Sequence, residues 1–170
     1  NPFALPPVAT PVNLYHTRLN SFVIPGVKKL ELHVGEDQEE RLTFSAELED
    51  LIINSDRSIQ VTLPPNLRKL EIHAPQSSVD LVSEELVNLE YLLLMLPNIQ
   101  SFSETGINAP NLKKLILECG NLSNFDGLKQ FQHLKDLEFR HLRFPITLFD
   151  NGSLPELESF ICWDCSTHNA

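Results

Sequence analysis

The chain is 170 residues long, 42% hydrophobic and 21% charged, which suits one soluble globular domain and falls short of two. Its formal net charge of −10 repels phosphate backbones, so nucleic acid is not an expected partner. The longest apolar run, Tyr91–Leu96, cannot span a bilayer, and neither a membrane partner nor a secretory leader is expected.

The first 20 residues carry Pro2, Pro6, Pro7 and Pro11, which argues against a helix there. Val12 and Leu14 can supply a degenerate strand that places Tyr15 on its outward side. The opening on Asn1 rather than Met suggests a fragment or a processed form. An acidic cluster at Glu36, Asp37, Glu39 and Glu40 reads as a solvated loop. Asn121-Leu122-Ser123 and Asn151-Gly152-Ser153 match the glycosylation sequon, a pattern that an Asn- and Ser-rich chain produces by chance.

From Val27 onward one pattern recurs: an apolar anchor, two mostly polar residues, an apolar residue, any residue, and another apolar residue. It reads Val27-Lys28-Lys29-Leu30-Glu31-Leu32, then Leu48 to Ile53, Leu67 to Ile72, Leu89 to Leu94, Leu112 to Leu117, Leu134 to Phe139 and Leu157 to Cys162. Successive anchors lie 21, 19, 22, 23, 22 and 23 residues apart. Several anchors follow a Pro-Asn or Asn step, as in Pro65-Asn66, Asn88 and Pro110-Asn111.

Alternate side chains of a strand face opposite ways, so Leu115 and Leu117 are predicted to point inward while Lys114, Ile116 and Glu118 point outward. A single short strand cannot bury its apolar face. Copies stacked about 4.8 Å apart form a parallel sheet over a shared core. The return segments close that core from behind with Leu42, Phe44, Ile59, Val61, Leu63, Leu122, Phe125, Leu128, Phe131, Phe144, Ile146 and Leu148. Within them, Ser83–Val87 is predicted as a short helix and Ile59–Leu63 as an extended strand.

This pattern resembles the leucine-rich-repeat superfamily, with the LxxLxL core kept as apolar types in all seven copies. The resemblance implies an α/β solenoid: a concave parallel sheet of 7–8 short strands and an irregular convex side of extended segments, turns and few short helices. It covers 1–170 as one domain, with a lead-in over 1–21, seven repeats over 22–163 and a tail over 164–170. The family's Asn or Cys three residues beyond the last strand leucine is kept only at Cys165. The irregular copies are similar to intracellular repeats found after F-box segments, although no F-box is present. A cytoplasmic or nuclear protein is the corresponding expectation. With no polar cap after Cys162, the parent protein is expected to continue past Ala170, or a second subunit to cover that edge.

No catalytic chemistry stands out. Cys162-Trp163-Asp164-Cys165 lacks the second ligand pair that zinc needs, and Cys162 takes the place of a strand leucine, so a buried structural role is expected for it. Cys119 and His141 follow neighbouring strands without a nameable third group or oxyanion site. No metal ligand, cofactor site or enzyme activity is expected. The outward strand positions instead put Tyr91, Leu93, Met95 and Ile116 side by side as an exposed apolar patch, flanked by Lys114, Glu118 and Glu138, with Arg140 and Trp163 as further anchors. Either a partner protein or another part of the same protein covers such a patch. The expected function is non-catalytic protein binding through the concave face, including substrate recognition in a ubiquitin-ligase adaptor. The alternative is a structural scaffold or receptor-type repeat protein acting through edge or end-to-end assembly.

Overall fold

The computed structural model describes residues 11–15, 17–36, 40–97, 99–150 and 154–169. Asp37 and Glu39 of the acidic cluster, Asn151 of the second sequon and the first ten residues of the lead-in lie outside these. The molecule is a parallel β-solenoid.

Eight strands form the main sheet: β1 (Val12–Tyr15), β3 (Lys29–Val34), β5 (Asp50–Ser55), β7 (Lys69–His73), β9 (Tyr91–Met95), β10 (Lys114–Glu118), β12 (Asp136–Arg140) and β14 (Ser159–Trp163), stacked in that order. Every pairing is parallel and in register with the repeat: Leu30 beside Leu51, Leu70 beside Leu92, and Leu115 beside Leu137. The degenerate first strand pairs Val12 with Leu30.

The anchor residues explain the rung spacing. Each follows a two-residue turn, and at every anchor but Leu67 the N–H closes that turn onto the carbonyl three residues back, as for Val27 onto Ile24 at 3.2 Å, Leu89 onto Leu86 at 3.3 Å, Leu112 onto Ala109 at 3.2 Å and Leu157 onto Leu154 at 3.3 Å. One residue further, a single carbonyl accepts two N–H groups from the next rung. Lys28 accepts from Glu49 and Asp50, Glu90 from Lys113 and Lys114, and Lys135 from Glu158 and Ser159, all at 2.9–3.0 Å. The asparagines of the turns add a side-chain stitch: Asn66 Nδ2 donates to Ala46 O and Asn111 Nδ2 to Val87 O, both at 2.8 Å. The Pro-Asn steps visible in the sequence therefore join rung to rung as well as turning the chain.

The inner columns of the main sheet are dry. Leu32, Leu51, Ile53, Leu70, Ile72, Leu92, Leu94, Leu115 and Leu117 are fully buried. Behind them the first rungs return as extended chain, β2 (Ser21–Phe22), β4 (Arg41–Phe44), β6 (Ile59–Thr62) and β8 (Val79–Val82), which pair into a second parallel sheet. Later rungs turn a corner into a third sheet of β11 (Gly120–Asn121), β13 (Leu142–Pro145) and β15 (Ser166–His168). Leu42, Val61, Leu122, Phe131 and Leu148 close the core from this side as predicted, whereas Ile146 is exposed.

The α/β expectation is corrected toward β. Among the described residues no α-helix occurs, and the helical turns Phe102–Thr105 and Leu128–Gln130 are short 3₁₀ pieces. The segment Ser83–Val87, predicted as a helix, is irregular chain that runs into a turn at Val87. Its Leu86 N–H bonds to Asn108 O of the next rung at 2.8 Å, so inter-rung pairing takes the donor a helix would have used. Gly127 shows how tightly the backs of rungs approach: φ is +88°, and a Cβ there would lie 2.6 Å from Ser103 N.

Leu70→Ala should therefore lower the unfolding free energy by about 2–5 kcal/mol in urea denaturation, because a dry neighbour on each side leaves little room to collapse. Gly127→Ala should also destabilise, although it removes no contact; a urea midpoint unchanged from wild type would show that the two backs can part.

Candidate functional site

The outer face of the main sheet presents one residue from each of three columns per rung. Its middle column runs Asn13, Glu31, Ile52, Glu71, Leu93, Ile116, Glu138 and Ile161 in register. The charges on this face are largely self-paired. Lys29 Nζ lies 3.6 Å from Asp50, Lys69 Nζ 3.8 Å from Glu71, and Arg140 Nε 3.2 Å from Glu138. Glu31 accepts a hydrogen bond from Asn54 Nδ2 at 3.4 Å with His33 Nε2 3.3 Å away but not hydrogen-bonded to it, while His73 stands 3.7 Å from Glu71.

Tyr91 sits at the centre of this pattern. Lys69 Nζ lies over its ring, 4.9 Å from the centroid, with Lys114 Nζ at 6.0 Å. Burial and then the Glu71 carboxylate push its hydroxyl above the ordinary tyrosine range. At the first strand, Tyr15 stacks on His33 with centroids 4.1 Å apart.

The exposed apolar patch is corrected. Leu93 and Ile116 do occupy outward positions, but only 5% and 4% of each is exposed. They neighbour each other across β9 and β10, and Tyr91, Met95, Lys114 and Glu118 flank them along their own strands on the same face. Neighbours this long close over a branched side chain. Tyr91, Met95, Glu118, Glu138 and Arg140 remain half-buried and available at the surface. Trp163, by contrast, is 59% exposed on β14, beside Ile161 at 45%. The structure thus brings Tyr91, Leu93, Met95, Ile116, Glu118, Glu138 and Arg140 together and sets Trp163 at the end of the row.

Cys162 departs from its predicted buried role. It holds the inner column beside Phe139, yet it is exposed, because among the described residues no rung stacks on the far side of β14. Partial burial of its sulfur and the adjacent Cys165 thiol push it up to about 11. Cys165 Sγ donates to Phe139 O at 3.3 Å and Trp163 O at 3.4 Å, tying the last corner to the rung before it.

Where β9, β10 and β12 leave the sheet, an open depression of about 250 Å³ is lined by Met95, Leu96, Pro97, Glu118, Cys119 and His141 among others. Sequence reasoning passed over it, since its walls come from four separate rungs, with Pro75 after β7 the fourth. His141 and Asp164 both hold left-handed backbone, at φ 48° and 51°, and His141 Nδ1 meets Asp164 Oδ2 at 3.1 Å. Cys119 is buried, and burial followed by the Glu104 charge pushes its thiol up to about 12. No hydrogen bond joins Cys119 to His141 among the described residues. Burial thus keeps the Cys119 thiol in its protonated, less nucleophilic form at neutral pH. Among the described residues no group of three or more His, Cys, Asp or Glu is placed to hold a metal ion. No helix among them is long and apolar enough to cross a membrane.

Comparison with family models, with curated proteins and with solved structures found no match.

Two outcomes follow. Leu93→Ala should cost about 2–4 kcal/mol of stability, as for a core leucine, while Trp163→Ala stays close to wild type; equal small losses would return Leu93 to the surface. Cys119 ionises near 9 in the unfolded chain and about 12 in the fold, so the fold binds the extra proton between those values. The stability it contributes is full below pH 9 and is lost as pH rises toward 12. Wild type should lose more stability over that interval than Cys119→Ala, measured by urea unfolding at each pH.

Proposed function

We propose that the chain is a leucine-rich-repeat recognition module that binds another protein through the outer, concave face of its main sheet. The observation that carries this reading is the continuous in-register sheet of eight parallel strands, which presents three parallel columns of side chains over a rigid dry core. A partner segment laid across the strands meets the same kind of position on every rung, and loops need not order themselves first. The LxxLxL anchors, the anchor-closed turns and the Cys165 sulfur bonded to the preceding rung all support the repeat class. The binding centre is Tyr91 with Lys69 and Lys114 over its ring, Met95 and Glu118 beside it, and Glu138 with Arg140 next to them. Leu93 and Ile116 form the floor beneath these groups.

Nothing in this surface calls for catalysis, and the reading is of a binding protein without cofactor in the cytoplasm or nucleus. Substrate capture for a ubiquitin-ligase adaptor is the specific role proposed, on the strength of the resemblance to repeats that follow F-box segments. A second reading, assembly through the sheet edge, is favoured by the exposure of Ile161, Cys162 and Trp163 on β14.

Affinity purification of the intact protein from its own cells, with mass spectrometry, tests the choice. The double variant Tyr91→Ala, Lys114→Ala should lose a specific partner that Thr62→Ala, on the opposite sheet, retains. A partner retained by the Tyr91 variant and lost on Trp163→Ala would overturn the concave-face reading in favour of the edge.

A further inference from the structure

The charged side chains of the outer face divide into those with partners and those without. Glu31, Asp50, Glu71 and Glu138 each have a base, an amide or both within reach. Glu118 and Asp136 have neither a hydrogen bond nor an ion pair among the described residues, and they differ in setting. Asp136 is exposed to water, whereas Glu118 is half-buried at the wall of the depression at the exits of β9 and β10. The nearest base along the rungs, Arg140, is already engaged with Glu138. A carboxylate that has lost part of its water and found no partner is held at a cost that an incoming cation removes.

The rest of the depression sets the shape of that cation. Met95, Leu96 and Pro97 supply an apolar wall, and the depression, about 250 Å³ in volume, is open to solvent. That is room for one long side chain entering from the sheet face. A lysine or arginine combines an aliphatic stem for the apolar wall with a charged end for Glu118. An acidic or phosphorylated segment meets the opposite situation, with Glu118 ahead of it and a net charge of −10 around it.

We propose that the depression beside Glu118 receives a lysine or arginine side chain of the bound protein segment, so that the partner of this face is a basic one. This specifies the ligand of the concave-face reading and rests on it. The stem packs on Met95, Leu96 and Pro97, and the cation bonds to the Glu118 carboxylate, with an arginine able to engage both oxygens.

The test uses the ¹⁵N-labelled chain and two blocked tripeptides, one with arginine between two leucines and one with citrulline, its uncharged isostere, in that place. The arginine peptide should shift the amides of Met95, Leu96, Cys119 and Gly120 saturably. It should bind at least about tenfold more tightly than the citrulline peptide, the scale of one charge-assisted hydrogen bond. Glu118→Gln, which keeps size and fold, should erase that preference. Equal binding of the two peptides, a preference that survives Glu118→Gln, or no shift at these amides at millimolar peptide would each overturn the proposal. None of those results touches the loss of a natural partner in the Tyr91 variant, so the two readings fail separately.

Discussion

A strand of four to six residues has an apolar side that it cannot bury alone, and each main strand here is that short. Its dry environment comes from the strand before it, the strand after it and the return segments behind them. Stacking supplies this twice over: one carbonyl per rung accepts two N–H groups from the next, and leucine columns seal the interior beneath. Turn chemistry then follows from spacing, since each rung must bring its anchor N–H back over the same point. Stability in such an array is shared between neighbours rather than pooled in one centre. Damage to a middle rung such as that of Leu70 therefore disturbs two interfaces, and damage to an end rung only one.

The same constraint frees the outer face. Because the core is closed by inward columns and return segments, outward residues answer to one another and to solvent rather than to the core. In the middle of the sheet they crowd. Tyr91 lies under two lysine ammoniums, and branched Leu93 and Ile116 are sealed beneath longer neighbours. Most charges are neutralised in place, which keeps a net acidic surface from splaying the rungs apart. Glu118 is the half-buried exception on this face, and it coincides with the depression at the strand exits.

Much of the architecture was legible because period-2 alternation and a repeat near 22 residues are strong signals. Leu115 and Leu117 inward, Lys114 and Glu118 outward, and the degenerate strand at Val12–Tyr15 all follow from them. The misreadings share a cause. Alternation gives direction but not exposure, so Leu93 and Ile116 looked like an open patch and Cys162 looked buried; the length of flanking side chains and the presence of a rung on each side decide both. Ser83–Val87 carried helix-start residues, yet Leu86 found its hydrogen bond on Asn108 of another rung, a partner about 20 residues away that local propensity cannot register. The depression was invisible for the same reason, since Met95, Glu118 and His141 come from three rungs. The stitching role of Asn66 and Asn111 had a visible signal in the Pro-Asn steps, although only their turn-forming use was evident.

The shared core and the outer columns both depend on the rungs lying parallel and in register. Cross-strand nuclear Overhauser effects in the labelled chain measure that most directly. Parallel stacking predicts a continuous series of contacts linking the strand centres of Leu70, Leu92, Leu115 and Leu137, each to the next in that order. Close α-proton pairs of the antiparallel kind, or a series displaced by one residue that turned these leucines to water, would contradict the account.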